Sequence, residues 1–243
     1  MTSTTWTDFV NNAAACRACA GHGMANILTN LSTCDRWDLP WYDNYRNLDG
    51  GLMIVGMDFG NEDTVQQQRA FRSRDSCWEP GEGLDKSYVR LTRFLKSADL
   101  AREAFLTNAA LCVRSGMSQE TDALPQAIYN NCSRHLRAQV SLAKPYVIVA
   151  LGKDALDFTC DALRYPRLKQ GVTKIAGDRI PVRVNRATVT LVPFFHPSRP
   201  QNAHGWPDDR QLSDLYRPIR AHLDDLRSRT GREAYRQAVG ILQ

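Results

Sequence analysis

The chain has 243 residues, 43% of them hydrophobic and 23% charged, which suits one large α/β domain with a sizeable core. Its formal net charge is +5, carried by 25 arginines and only six lysines. Arginine pairs with phosphate bidentately and stacks on bases, so the bias fits a nucleic-acid partner, although a high-GC genome produces the same bias. No run of 18 apolar residues is present, which excludes a transmembrane helix. Met1 to Val10 is polar, so no secretory leader and a cytoplasmic location are expected.

Residues 1 to about 12 are expected to fray, with a short helix from Trp6 running into Cys16-Arg17-Ala18-Cys19 and broken by Gly21 and Gly23. Thr29 to Gly51 is loop-rich. Its aromatics Trp37, Trp41, Tyr42 and Tyr45 read as packing over the core. Leu52 to Asp58 is a continuous apolar run closed by Gly56 and Asp58, which predicts a central parallel strand buried on both faces. A long polar loop follows from Phe59 to Asp75. Helical spacing returns from Leu84 to Ala98.

Ala104 to Cys112 predicts a second strand and its exit. Pro125 suits the first turn of a helix carrying Ile128, Cys132, Leu136, Val140 and Leu142 and ending at Lys144-Pro145. Tyr146 to Leu151 predicts a third strand, closed by Gly152, and a helix follows from Asp154 to about Leu163. Gly171 to Val184 alternates weakly and suggests a hairpin. Thr188 to Phe195 predicts a fourth strand, and Asp209 to about Arg229 a final amphipathic helix. Strands alternating with helices imply right-handed crossovers. The expectation is a single domain over residues 1–243, a three-layer α/β/α sandwich around a four-stranded, mostly parallel sheet.

The fourth strand stops at His196-Pro197-Ser198. In open α/β sheets ligands bind at the carboxyl ends of strands, so His196 is a candidate for chemistry. Asn108 and Asp58 end two other predicted strands at the same edge. Seven cysteines in a chain without an export signal argue against a disulfide framework and toward metal. Cys16 and Cys19 form a C-x2-C pair, Cys112 sits past the second strand, and Cys132 follows on a helix. Four thiolates suit zinc or a 4Fe–4S cluster, and spacing alone does not choose between them. Cys160 reads as a small core residue, and Cys34 and Cys77 are left over.

In order, the chain presents C-x2-C, Gly56-Met57-Asp58-Phe59-Gly60, Thr107-Asn108-Ala109-Ala110-Leu111-Cys112, Cys132, Val147 to Gly152, and His196-Pro197-Ser198. From Cys16 to Ser198 this resembles the uracil-DNA glycosylase superfamily, and most closely its iron–sulfur classes, families 4 and 5. The resemblance implies a structural 4Fe–4S cluster on Cys16, Cys19, Cys112 and Cys132, with zinc as the alternative. It implies His196 as donor to the uracil oxyanion and Asn108 as reader of the pyrimidine edge. The first block departs from the G-E-A-P-G of the iron–sulfur classes, because Met57 stands directly after the glycine. Asp58 instead matches the acid of the family-1 block G-Q-D-P-Y, where it would orient water and stabilise a cationic sugar.

The resemblance further implies that Gly56 and Phe59 border the base. The stacking aromatic is Phe59, Phe71 or Trp78, with Phe71 favoured. Ser198, with backbone amides near Gly60 and Gly152, would hold phosphate, and Arg199 would contact DNA. The implied activity is hydrolysis of the N-glycosidic bond of uracil, or a related deaminated base, flipped out of DNA, by a monofunctional and monomeric enzyme with no obligate protein partner. Because of Met57 and Phe59, a superfamily member that binds DNA or a nucleotide without cutting is the second reading. A zinc-containing structural protein is the third.

Overall fold

The computed structural model describes residues 5–26, 48, 50–61, 86–115, 124–184, 187–197 and 209–231. The expectations placed on Phe71, Trp78, Ser198, Arg199, Cys34, Cys77, the aromatics of the 29–51 segment and most of the 59–75 loop lie outside them.

The N-terminal segment is helical from Trp6 rather than frayed to residue 12: α1 spans Trp6–Ala15. Thr5 and Asp8 form a reciprocal capping box at its start, satisfying backbone donors that a helix end leaves orphaned. Phe9, Val10, Ala13 and Ala14 are its buried face. Three short pieces follow in chain order: β1 (Met24–Asn26), β2 (Leu52–Gly56) and α2 (Lys86–Ser97). Then come β3 (Ala104–Asn108), β4 (Cys112–Arg114), α3 (Gln126–Ala143) and β5 (Val147–Leu151). The chain continues through α4 (Gly152–Leu163), α5 (Val172–Ile175), β6 (Ile180–Val184), β7 (Ala187–Phe194) and α6 (Asp209–Thr230).

Among the described residues the main sheet has five strands, in the order β3-β2-β5-β7-β6, rather than the expected four. The first four are parallel to one another, and β6 runs antiparallel to β7. The extra strand comes from the segment read as a weak hairpin. Only Val182 of β6 is fully buried, so its apolar signal is faint. Pro181, which offers no ladder donor, is tolerated because the strand lies at the edge. β2 and β5 are buried along their whole length, as their unbroken apolar runs require.

Right-handed crossovers fix the layers. The path β2–α2–β3 steps one way across the sheet, and the return to β5 through α3 steps the other way, so α2 and α3 lie on opposite faces. α6 packs against α2, and α4 against α3, which completes three layers. On one side Tyr216 of α6 stacks with Phe94 of α2 at 5.7 Å and tilts against Phe194 of β7 at 4.2 Å. Tyr216 is fully buried beside Ile219 and Leu223. On the other side α1 packs against α3. A second apolar cluster there joins Phe9, Val10, Ala13 and Ala14 to Leu111 and Val113. α3 ends at Lys144 in the left-handed conformation, with Pro145 preventing its continuation. No helix of the described residues is long and apolar enough to cross a membrane.

β3 does not continue to Cys112. After Asn108 the chain turns away from the sheet, and β4 pairs antiparallel with β1 in a separate two-stranded ribbon, with Met24 opposite Arg114 and Asn26 opposite Cys112.

Candidate active site

The helix after β2 covers one face of the sheet and the helix after β5 the other. The carboxyl ends of these neighbouring strands therefore form a topological switch point, where an open sheet leaves a crevice for ligand. Register brings the predicted residues to that edge. Gly56 pairs with Asn108, and Leu151 pairs with Phe194, two residues before His196. About three strand spacings, on the order of 14 Å, separate β3 from β7, a width that side chains from both ends can narrow around a base-sized ligand.

Two glycines make room for two of these side chains. A Cβ on Gly56 would sit 2.2 Å from Asn108 Oδ1, so the Asn108 amide lies across the end of β2 only because residue 56 has no side chain. A Cβ on Gly152 would sit 3.3 Å from His196 Cβ, and Gly152 has φ +89°, so both packing and backbone favour glycine there. The backbone is pinned as well: Ala109 N–H donates to Gly56 O and Ala110 N–H to Met57 O, each at 2.9 Å. On α2, Arg90 Nη1 donates to Pro197 O at 3.1 Å, holding the loop that carries His196. Met57 packs down onto the main core.

Asp58 is held from two sides. Its Oδ1 accepts from Gly60 N–H at 3.0 Å, an Asx-type turn. Its Oδ2 accepts from Arg114 Nε at 2.7 Å, with the Arg114 side chain fully buried and that of Asp58 6% exposed. Phe59 packs against the Phe9–Val113 cluster. Asp58, Asn108, Gly56 and His196 thus share one edge of the sheet, while Phe59 lies toward the ribbon. Phe71, Ser198 and Arg199 lie outside the described residues.

Behind the ribbon, Cys19, Cys112 and Cys132 are buried, and their sulfurs lie within 4.8 Å of one another. Cys19 Sγ and Cys132 Sγ are 3.8 Å apart. The sulfurs come from the turn after α1, from β4 and from α3. Hydrogen bonds from Cys112 and Cys132 pull the pKa of Cys19 down. The contacts with Cys132 and Cys19, together with burial, push that of Cys112 up. Metal binding here would require these thiols to lose their protons. Cys16 is outside this group. Its Sγ accepts from Arg134 Nη2 at 3.1 Å, three residues from Cys19. The segment between them is tied down by Asn26 Nδ2, which donates to Ala13 O at 2.7 Å and Cys16 O at 2.9 Å, and by Asn131 Nδ2, which donates to Ala18 O at 2.8 Å. An all-sulfur, buried donor set fits zinc or an iron–sulfur cluster and suits neither calcium nor magnesium.

Sequence reasoning missed Arg114, Arg90, Asn26 and Asn131. Arg114 carried a usable signal. It stands two residues after Cys112 in an apolar segment, and a buried arginine demands a carboxylate partner.

The sequence profile of the uracil DNA glycosylase superfamily matches residues 44–218. A relative named type-4 uracil-DNA glycosylase, from Thermotoga maritima, is 29% identical over 153 residues, 63% of this chain and 67% of the relative. The profile spans the five strands of the main sheet, the switch point and the strand ends at Asp58, Asn108 and His196, and the chain belongs to the uracil-DNA glycosylase superfamily.

Proposed function

We propose that the chain is a monofunctional DNA glycosylase that hydrolyses the N-glycosidic bond of uracil, or a related deaminated base, flipped out of DNA. The observation that carries this reading is the placement of Asp58, Asn108 and His196 at one carboxyl edge, around the switch point. In the reaction the C1′–N1 bond breaks with its electron pair going to uracil, and water oxygen bonds to C1′ while giving up a proton that ends by neutralising the uracil anion. The sugar passes through a cationic state and the base leaves as an anion. His196 donates to the developing charge on uracil O2, and fixed donors of this kind act most strongly in the transition state. The Asn108 amide pairs with N3–H and O4 and so reads the pyrimidine edge. The Asp58 carboxylate faces the cationic sugar and orients the water. Gly56 borders the base, with Phe59 backing the loop from the ribbon side, Phe71 stacks on the base, and Ser198 and Arg199 contact the DNA backbone.

Cys16, Cys19, Cys112 and Cys132 would hold a 4Fe–4S cluster that supplies no step of the hydrolysis and cross-links α1, β4 and α3. The resemblance to the iron–sulfur classes supports this over zinc. Absorbance at about 400 nm and about four irons per chain are expected, and a colourless, zinc-loaded protein would contradict the assignment.

The test is incubation with single- and double-stranded oligonucleotides containing uracil, hypoxanthine or xanthine. Abasic sites are expected with uracil. None across the panel would refute the reading. That outcome, together with DNA affinity falling steeply with salt, would favour the second reading, a member that binds without cutting. The Asp58–Arg114 ion pair and Met57 are what keep that second reading in play.

A further inference from the structure

We propose that Arg114 is a positioning residue for Asp58 and that it fastens the active-site loop to the strand bearing Cys112. The catalytic part of this inference rests on the role proposed above for Asp58.

Arg114 is 2% exposed, and a buried guanidinium is costly unless paired and hydrogen-bonded. Its Nε donates to Asp58 Oδ2 at 2.7 Å. With Oδ1 fixed by Gly60 N–H, both carboxylate oxygens have a set direction. An ionised carboxylate has about four acceptor directions, so each oxygen keeps one that neither Arg114 nor Gly60 uses. Arginine therefore sets the orientation of the acid without occupying all of its acceptor capacity.

The main chain of Arg114 grips the same loop. Arg114 N–H donates to Gly60 O at 2.9 Å, and Asn61 forms a parallel bridge with Arg114. Residues 58–61 are thus laid along β4 by side chain and backbone together. β4 also supplies Cys112. Residues two apart on a strand point to the same face, so one face of a three-residue strand carries a sulfur of the buried cysteine group and the arginine of the active-site loop. Across the ribbon, Cys112 is opposite Asn26, whose side chain holds the Cys16 carbonyl. Residues 58–61 are therefore anchored to the cysteine region as well as to the end of β2.

The test compares the wild type with Arg114→Lys, Asp58→Asn and the double variant, each first checked for a retained fold and unchanged metal content. Lysine keeps the charge and loses the Nε geometry. Amide hydrogen exchange reports the loop directly. Faster exchange over residues 57–61 is expected in Arg114→Lys, and unchanged exchange would overturn the fastening. Base release reports the catalytic part. A fall in kcat of about tenfold with little change in KM is expected for each single variant, with no further fall in the double variant. Wild-type kcat in Arg114→Lys, or losses that multiply in the double variant, would overturn the positioning role. A wild-type protein that releases no base would refute the glycosylase reading instead, and the exchange measurement would still decide whether Arg114 holds the loop. If Arg114→Lys does not fold, Arg114→Gln, which keeps a side-chain N–H donor and loses the charge, supplies the same two readouts.

Discussion

At the carboxyl edge of the sheet, Asn108 and His196 hang on strands whose apolar residues are almost wholly buried, and glycines at 56 and 152 clear the space they need. Beside it, the cysteine region has a three-residue ribbon, a small apolar cluster and a few side chains that cap exposed carbonyls. The first region is stabilised by the hydrophobic effect spread over many residues, so losing one polar side chain leaves the frame intact. The second has little area to bury, and its geometry converges on three sulfurs. Chemistry placed on the sheet edge can change without loss of fold, whereas under the proposed cluster the ribbon would depend on what the sulfurs hold.

The comparison breaks most visibly at the sulfurs. Structural metal in small sites contributes on the order of 10 kcal/mol of binding energy to folding. Cys132→Ser is expected to abolish bound metal and lower the melting temperature by many degrees, read by metal analysis and calorimetry. Cys160→Ser, equally buried but away from the group, should keep its metal. Next come the site residues: His196→Ala or Asn108→Ala should cut kcat by about 10²–10³ with a melting temperature close to wild type. A collapse of stability would place them in the frame instead. Gly56→Ala forces Asn108 to move or the strands to part, with a stability cost of about 1–3 kcal/mol and a loss of uracil selectivity measurable against cytosine-containing DNA. The smallest effect is expected for Arg90→Ala. It removes one bond to the Pro197 carbonyl, worth about 1 kcal/mol, and should show as a modest fall in kcat.

Much of the sheet is legible in the sequence, because Leu52–Val55, Val147–Leu151 and Thr188–Phe194 are apolar runs that only a doubly covered parallel sheet accommodates. Their glycine, asparagine and histidine ends then mark the functional edge. β6 is faint because an edge strand with one buried residue and a proline lacks that signal. The ribbon is illegible for a related reason: three residues carry no periodicity, and Cys112 reads as the tail of β3. Arg114 stands out as an arginine in an apolar segment, but its pairing with Asp58 is hidden because the partner lies 56 positions earlier, and a long-range ion pair leaves no local pattern. Cys16 shows what motif spacing leaves out, since C-x2-C gives the residue pair but not the Arg134 Nη2 donor 3.1 Å from its sulfur.

The most direct test of the site is base release measured by mass spectrometry, using wild-type protein and His196→Ala on the same uracil-containing DNA. Free uracil from the wild type and about 10²-fold or more slower release from the variant are predicted. Equal rates, or no uracil from the folded, metal-loaded wild type, would contradict the placement of glycosylase chemistry at this edge of the sheet.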